Sequence, residues 1–337
     1  MDHRPVTLHE VAAEACVSIA TASRALTRPE CLRADTVARI RAVAQQLGYR
    51  PNLIAQSLKL GSTGVIYVVI PSLSPFFLEM FSGIERAARE FGYSAIIGHT
   101  GRDAGREAGF FDQVACGRAD GVLLLASGRI ELPAIYLSTR APAVAVLEMV
   151  EGQDLPSVRI DQFEGAQKAV HHLIELGHRN IAHISGNARA LTAIRRREGF
   201  IAAMQAAGLT HAEDNCVPGE FTPEAGAAAM EILLARVPRP TAIFAANDEI
   251  AIGAIGAIRA AGLRVPEDIS VIGYGDHSLG RIYNPALTTV HVPALDLGYL
   301  GMIKLKRILR RESFDADTCL ATHIVKRETT APPGPAR

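Results

Sequence analysis

The chain has 337 residues, 48% hydrophobic and 21% charged, and no uninterrupted apolar run approaches the ~18 residues of a membrane span. This composition excludes a membrane-spanning or wholly disordered protein, and the length implies two to three domains of ~100 to 200 residues. Basic and acidic residues number 35 each, but residues 1–60 hold eight Lys/Arg against five Asp/Glu, and the remainder holds 27 against 30. A basic end on a slightly acidic body points to a polyanion-binding module joined to something larger. Cys16, Cys31, Cys116, Cys216 and Cys319 show no CxxC or metal-type spacing, so free thiols in a reducing compartment are expected. The opening MDHRPVTLHEVAAEA carries charges where an export signal needs an apolar core, which places the chain in the cytoplasm.

Residues 6–47 read as three short amphipathic helices. Thr7 with Glu10 forms a capping box ahead of a stripe of Leu8, Val11, Ala12 and Ala15. After a break at Cys16-Val17, Ser18 caps a second helix, IATASRAL, whose Ala22, Ala25 and Leu26 face inward. Val37, Ile40, Val43, Ala44 and Leu47 give a third stripe, and Gly48 sits where a left-handed C-cap belongs. Two helices joined by so tight a turn, then a third, are a helix-turn-helix. The exposed side of the second helix carries Ile19, Ala20, Ser23 and Arg24; Arg24 can fork two donors onto a guanine edge, and Ile19 and Ala20 can touch a thymine methyl.

From residue 64 the texture changes to short β-branched runs between helical stretches. The expected strands are 64–71, 94–99, 121–127, 142–148, 180–186, 241–247 and 270–275, with late ones near 288–292 and 322–327. Most are apolar on both faces, as in parallel sheets covered by helices, and they are too many for one ordinary sheet. Two doubly wound subdomains with a cleft between them follow.

The stretches VTLHEVAAEACVSIATASRAL and GYRPNLIAQSLKLGST resemble the DNA-binding headpiece and hinge of the LacI/GalR family of bacterial transcriptional regulators. The similarity continues through PSLSPFF, RADGVLLL, IDQFEGA, HLIELGHRNIAHISG, RRREGF, AIFAANDEIAIGA, GLRVPEDISVIGY and NPALTTV, in family order. It implies an all-α headpiece over 1–50, a hinge helix over 51–61, and a periplasmic-binding-protein-like α/β body over 62–330 with a tail at 331–337. Within the body the N-subdomain is expected at 62–161 plus 293–322, and the C-subdomain at 162–292 plus 323–330.

The resemblance places Thr7, Ser18, Ile19, Ala20, Thr21, Ser23, Arg24 and Tyr49 at the DNA surface, with Asn52, Ala55, Leu58 and Lys59 in the hinge. Leu58 is expected to wedge into the minor groove, and the hinge to become helical only on operator. For the effector it implies Ser74, Phe76 and Asp161 on one wall of the cleft and Arg196, Asn247, Asp248 and Asp276 on the other. Sugar-responsive members carry Asp directly after the aromatic of VIGY; here that place is Gly275 and the acid is Asp276, which tilts the expected ligand toward a sugar acid or sugar phosphate. Cys16 stands where the interhelical turn commonly has Gly, and Arg33 replaces the usual small cap of the third helix.

The expected partners are double-stranded operator DNA, a small polar effector and a second copy of the chain, with no cofactor, metal or membrane. The tail TAPPGPAR is too short and Pro-rich for a tetramerising coil, so a dimer is expected. No GxSxG, HExxH, GxxxxGK or Rossmann fingerprint points to an enzyme. His171, His172, His178 and His183 lie close in sequence without the facing of a metal site. A sugar-binding protein or sugar-acting enzyme without operator specificity is the alternative.

Overall fold

The structure, a computed structural model, describes residues 4, 6–50, 61–125, 134–139, 141–149, 154–209 and 212–334. The hinge positions Asn52, Ala55, Leu58 and Lys59 lie outside the described residues. The chain divides into two compact units, 1–63 and 64–337.

In the first unit α1 (Leu8–Glu14), α2 (Ile19–Thr27) and α3 (Ala34–Gln46) bury Val11, Ala12, Ala15, Ala22, Ala25, Val37, Ile40 and Ala44 as one core. The capping box forms: the Glu10 carboxylate accepts from the Thr7 backbone N–H (2.7 Å), and the Glu10 N–H donates to Thr7 Oγ1 (3.4 Å). The Thr7 backbone bond holds the Glu10 carboxyl below its ordinary range. At the turn between α1 and α2, Cys16 adopts the left-handed conformation (φ 51°). Gly48 (φ 68°) ends α3, with its N–H bonded to Gln45 O and that of Tyr49 to Ala44 O, the paired bonds of a Schellman motif. Arg33 occupies the N-cap of α3 without a side-chain cap bond.

The second unit runs β1 (Val65–Ile70), α4 (Pro75–Glu90), β2 (Ser94–His99), α5 (Ala104–Ala115), β3 (Gly121–Leu125), α6 (Ala134–Thr139), β4 (Ala143–Leu147) and β5 (Ser157–Ile160). There follow α7 (Gln162–Glu175), β6 (Ile181–Ile184), α8 (Leu191–Ala206), β7 (Cys216–Val217), α9 (Pro223–Leu234), β8 (Ala242–Ala245) and α10 (Asp248–Ala260). The chain closes with β9 (Ser270–Gly275), α11 (Ser278–Ile282), β10 (Thr288–His291), α12 (Ala294–Leu309), β11 (Asp317–Leu320) and β12 (His323–Val325). These strands form two six-stranded sheets, ordered β11-β5-β4-β3-β1-β2 and β12-β10-β9-β8-β6-β7. All pairings are parallel except β10 with β12, an edge strand that returns antiparallel beside its neighbour.

Central strands such as β3, β4 and β8 are buried at every residue, which is why they read as continuous apolar runs. Helices α4 and α12 cross closely on the first sheet: a Cβ at Gly83 would lie 2.0 Å from Leu295 O, and one at Gly298 2.0 Å from Met80 O. The first sheet draws strands from 65–160 and 317–320, the second from 181–291 and 323–325, so the chain passes between sheets three times. Ala331, the first residue of the tail expected at 331–337, is tied to the second sheet. The His178 Nε2–H donates to Ala331 O (2.9 Å), and the Ala331 N–H donates to Ser270 Oγ (3.1 Å).

Candidate functional site

In the first unit, the Ser18 hydroxyl accepts from the Thr21 N–H (3.1 Å) and shares a 2.8 Å bond with Thr21 Oγ1, which starts α2. The helix turns Ala22 and Ala25 inward and leaves Ile19 (48% exposed), Ala20 and Arg24 outward, with Ser23 half-buried beside them. Arg24 Nε donates to Ala20 O (3.3 Å), which braces the side chain while its two terminal amino groups remain as donors. Thr7 is engaged with Glu10, and the half-buried Tyr49 ring packs against the core.

In the second unit a cavity opens at the carboxyl ends of β1, β4, β8 and β9. Its lining takes Ser72, Ser74, Phe76, Phe77, Arg102 and Leu147 from the first-sheet side. The second-sheet side contributes Thr192, Arg196, Phe221, Asn247, Glu249, Tyr274, Gly275 and His277. Three helices begin here, α4 after Ser74, α8 after Ala190 and α10 after Asn247, so their amide ends add positive potential to a polar pocket.

Of the seven expected effector residues, Ser74, Phe76, Arg196 and Asn247 line this cavity. Arg196 is 5% exposed; Nε donates to Gln162 Oε1 (2.9 Å), Nη1 donates to Ala246 O, and the guanidinium lies 3.7 Å from the Tyr274 ring centroid. Burial lowers the pKa of its guanidinium, and Tyr274, Glu148 and Asp248 oppose that shift only in part. Asn247 Oδ1 caps α10 by accepting from Ile250 N–H (2.8 Å), and Nδ2 donates to Glu249 Oε2 (3.2 Å).

The other three expected residues stand elsewhere. Asp248 is fully buried behind the wall: Oδ2 accepts from the His277 N–H (2.7 Å) and Oδ1 from Thr289 Oγ1 (2.5 Å), and burial pushes its carboxyl up. Asp276 has a left-handed backbone (φ 60°), and its carboxylate takes bonds from Arg327, His291 (2.8 Å) and Arg281 (3.2 Å) instead of facing the cavity. Burial alone would raise that carboxyl, but the Arg327 and His291 bonds outweigh it and hold it below its ordinary range. Asp161 caps α7 through Glu164 N–H (2.9 Å) and lines a neighbouring groove with Glu148, Arg159, Gln162 and Arg195.

Sequence reasoning missed Arg102, Glu249, Phe221 and His277. Arg102 pairs with Glu220 (3.7 Å) and lies 5.5 Å from the Phe221 ring, and burial raises the Glu249 carboxyl. The four histidines are dispersed: His172 bonds Thr330, His178 bonds Thr241 and Ala331, and His183 donates from Nδ1 to Phe244 O (2.8 Å) between the Phe200 and Phe244 rings.

Residues 7–52 match the profile of bacterial regulatory proteins of the lacI family, and residues 170–330 match a periplasmic binding protein-like domain. The HTH-type transcriptional repressor PurR of Pectobacterium carotovorum is 36% identical over 296 residues, covering 87% of each chain. The chain belongs to the lacI family of bacterial regulatory proteins. A second lacI-family relative, the HTH-type transcriptional repressor CytR of Escherichia coli, is 35% identical over 89% of this chain and 88% of its own. The lac repressor dimer bound to operator and the anti-inducer ONPF superposes with a TM-score of 0.85 at 27% identity, covering 97% of this chain and 100% of that one. This lacI-family member is a DNA-binding transcriptional regulator whose headpiece is the helix-turn-helix and whose body is the periplasmic-binding-protein-like fold.

Proposed function

We propose that the protein is a repressor that grips a pseudopalindromic operator as a homodimer and is controlled by a small polar metabolite, a sugar or sugar derivative. The observation that carries the reading is the pairing of two sites on one chain. One is an α2 face that leaves Ile19, Ala20 and Arg24 exposed; the other is a polar cavity at the strand ends of a binding-protein fold. One headpiece reads a half-site, so two are needed to span an inverted repeat. A dimer bound to operator in one relative and a cellobiose complex of another support these assignments by analogy.

In this reading Thr7, Ser18, Ile19, Ala20, Thr21, Ser23, Arg24 and Tyr49 meet the duplex, and Asn52, Ala55, Leu58 and Lys59 of the hinge reach the operator centre. Ser74, Phe76, Arg196 and Asn247, joined by Arg102 and Glu249, receive the effector. Ligand changes the relative setting of the two sheets, and effector and operator binding share one coupling free energy, about 1–3 kcal/mol in typical cases.

The test is salt-dependent binding of the full chain to an inverted-repeat duplex against random duplex, with light scattering for the oligomer. Loss of operator affinity in Leu58→Ala with ligand affinity retained is the expected separation. Sugar binding with no preference for any inverted repeat would favour the alternative of a sugar-binding protein without operator specificity.

A further inference from the structure

We propose that His291 and His323 form a binding site for a divalent transition-metal ion where the chain leaves and re-enters the second sheet. The recess they line shares no residue with the effector cavity, and the two histidines are too far apart in sequence for any local spacing to announce them.

Strands β10 and β12 run antiparallel, and His291 and His323 are direct partners across that ladder. Residues opposite one another project from the same face of a sheet, with Cβ atoms about 5 Å apart. Here the two ring centroids stand 4.7 Å apart with their planes tilted by 40°. Imidazoles that share one ion, each bound through nitrogen at about 2 Å, hold their centroids roughly 4.5–6 Å apart. The backbone ladder thus brings the pair to ion-sharing separation without further movement.

Asp276 determines which nitrogen is offered. Ion-paired with Arg327 and Arg281, it is a carboxylate that can only accept, and it lies 2.8 Å from His291 Nδ1. The proton of the neutral ring therefore sits on Nδ1, and Nε2 keeps the lone pair that a metal needs. A carboxylate behind the far nitrogen is the usual outer support of a metal-bound imidazole. The His291 side chain is 29% exposed; His323 is exposed, and its ring makes no hydrogen bond among the described residues.

No third histidine, cysteine or carboxylate joins the pair to complete a metal cluster among the described residues, so water fills the remaining positions. Two imidazole nitrogens select zinc, nickel or copper over magnesium or calcium, which take oxygen ligands. Arg281 and Arg327 oppose a cation and Asp296, which lines the same recess from α12, favours one, so affinity rests on the imidazole bonds. His291 ends β10 just before residues 292–293 pass to α12, and His323 opens β12 just after 321–322 arrive from β11. An ion held by both fastens two of the passages between the sheets to each other and stiffens the joint about which the sheets turn.

The experiment is calorimetric titration of the untagged full chain with zinc, nickel and magnesium chlorides. Exposed thiols also take zinc, so histidine variants decide the outcome. One ion per chain is expected for zinc and for nickel and none for magnesium; His291→Ala and His323→Ala should each weaken that event about tenfold or more, and His171→Ala, a distant exposed histidine, should leave it unchanged. Zinc should raise the melting temperature of the wild-type body and not that of His323→Ala. Because His323 is exposed, its variant keeps the test decisive should His291→Ala unfold. No binding event, an event of wild-type strength in His323→Ala, or equal weakening in His171→Ala overturns the proposal. None of these readouts involves operator or effector, so the reading of those two sites stands or falls separately.

Discussion

On α2 the groups offered to a partner, Ile19, Ala20 and the terminal amino groups of Arg24, stand exposed, while the side chains that hold the helix, Ser18 and Thr21, sit at its end. In the cleft the polar side chains hold one another: Arg196 braces Gln162 and the Ala246 carbonyl, Asp248 pins the His277 backbone, and Asn247 caps α10. Apart from Thr7, Ser18, Thr21 and Tyr49, the proposed contacts of the headpiece are therefore distinct from the residues that hold its fold, whereas in the body the proposed contacts and the scaffold overlap. Substitutions on the α2 face should change affinity alone, whereas those in the cleft should change stability as well.

Arg196→Ala tests that contrast most severely. It removes the donors to Gln162 Oε1 and Ala246 O and the cation over Tyr274, so the body is expected to lose about 3 kcal/mol or more, together with its ligand response. An unchanged melting temperature by circular dichroism would erase the distinction. His183 sharpens the same point through pH. Desolvation in its fully buried site depresses the ring from 6.5 to about 4, so both folded and unfolded chains are neutral there above pH 6.5. Below that, the unfolded chain takes up a proton that the folded ring refuses until about pH 4, and stability falls across the window by on the order of 3 kcal/mol. His183→Phe should flatten that part of a urea-unfolding pH profile; an unaltered slope would count against it.

Effects in the headpiece should be smaller and confined to it. Arg24→Ala is expected to cost about 1–3 kcal/mol of operator affinity, read by fluorescence anisotropy, and to leave the melting of the body unmoved. Cys16→Gly should raise headpiece stability by about 0.5 kcal/mol, because relief of a left-handed Cys slightly exceeds the added freedom of the unfolded chain. A drop in headpiece melting temperature would show that the Cys16 side chain contributes contacts beyond its conformation.

The helices of the headpiece and the buried strands were readable because their signals are local: caps, a C-terminal Gly48, and unbroken apolar runs at β1, β3, β4 and β9. Strands β5, β7 and β11 were not. β5 alternates as SVRI, β7 has two residues, and β11, DTCL, is an edge strand with only partial burial, so each borrows its conformation from a neighbour. Of the positions matched for the effector, Ser74, Phe76, Arg196 and Asn247 line the cavity and Asp161, Asp248 and Asp276 do not; the partners that hold Asp276, Arg327 and His291, are distant in sequence. Glu249 carried a readable signal, an acid in the first turn of the helix after a strand end. Arg102 and Phe221 carried none, since loops from different sheets bring them together.

The three passages of chain between the sheets set what kind of displacement the body can undergo. They run from β5 into α7, from β10 into α12 and from β11 into β12, the last through Ala321 and Thr322 alone. A pair of slabs tied by three short tethers resists sliding and separation, because each stretches at least one tether, and turns most readily about a line near all three. An occupant wedged at the strand ends therefore acts on an angle rather than a gap, and a lever arm converts a small change there into a larger excursion at the far rim.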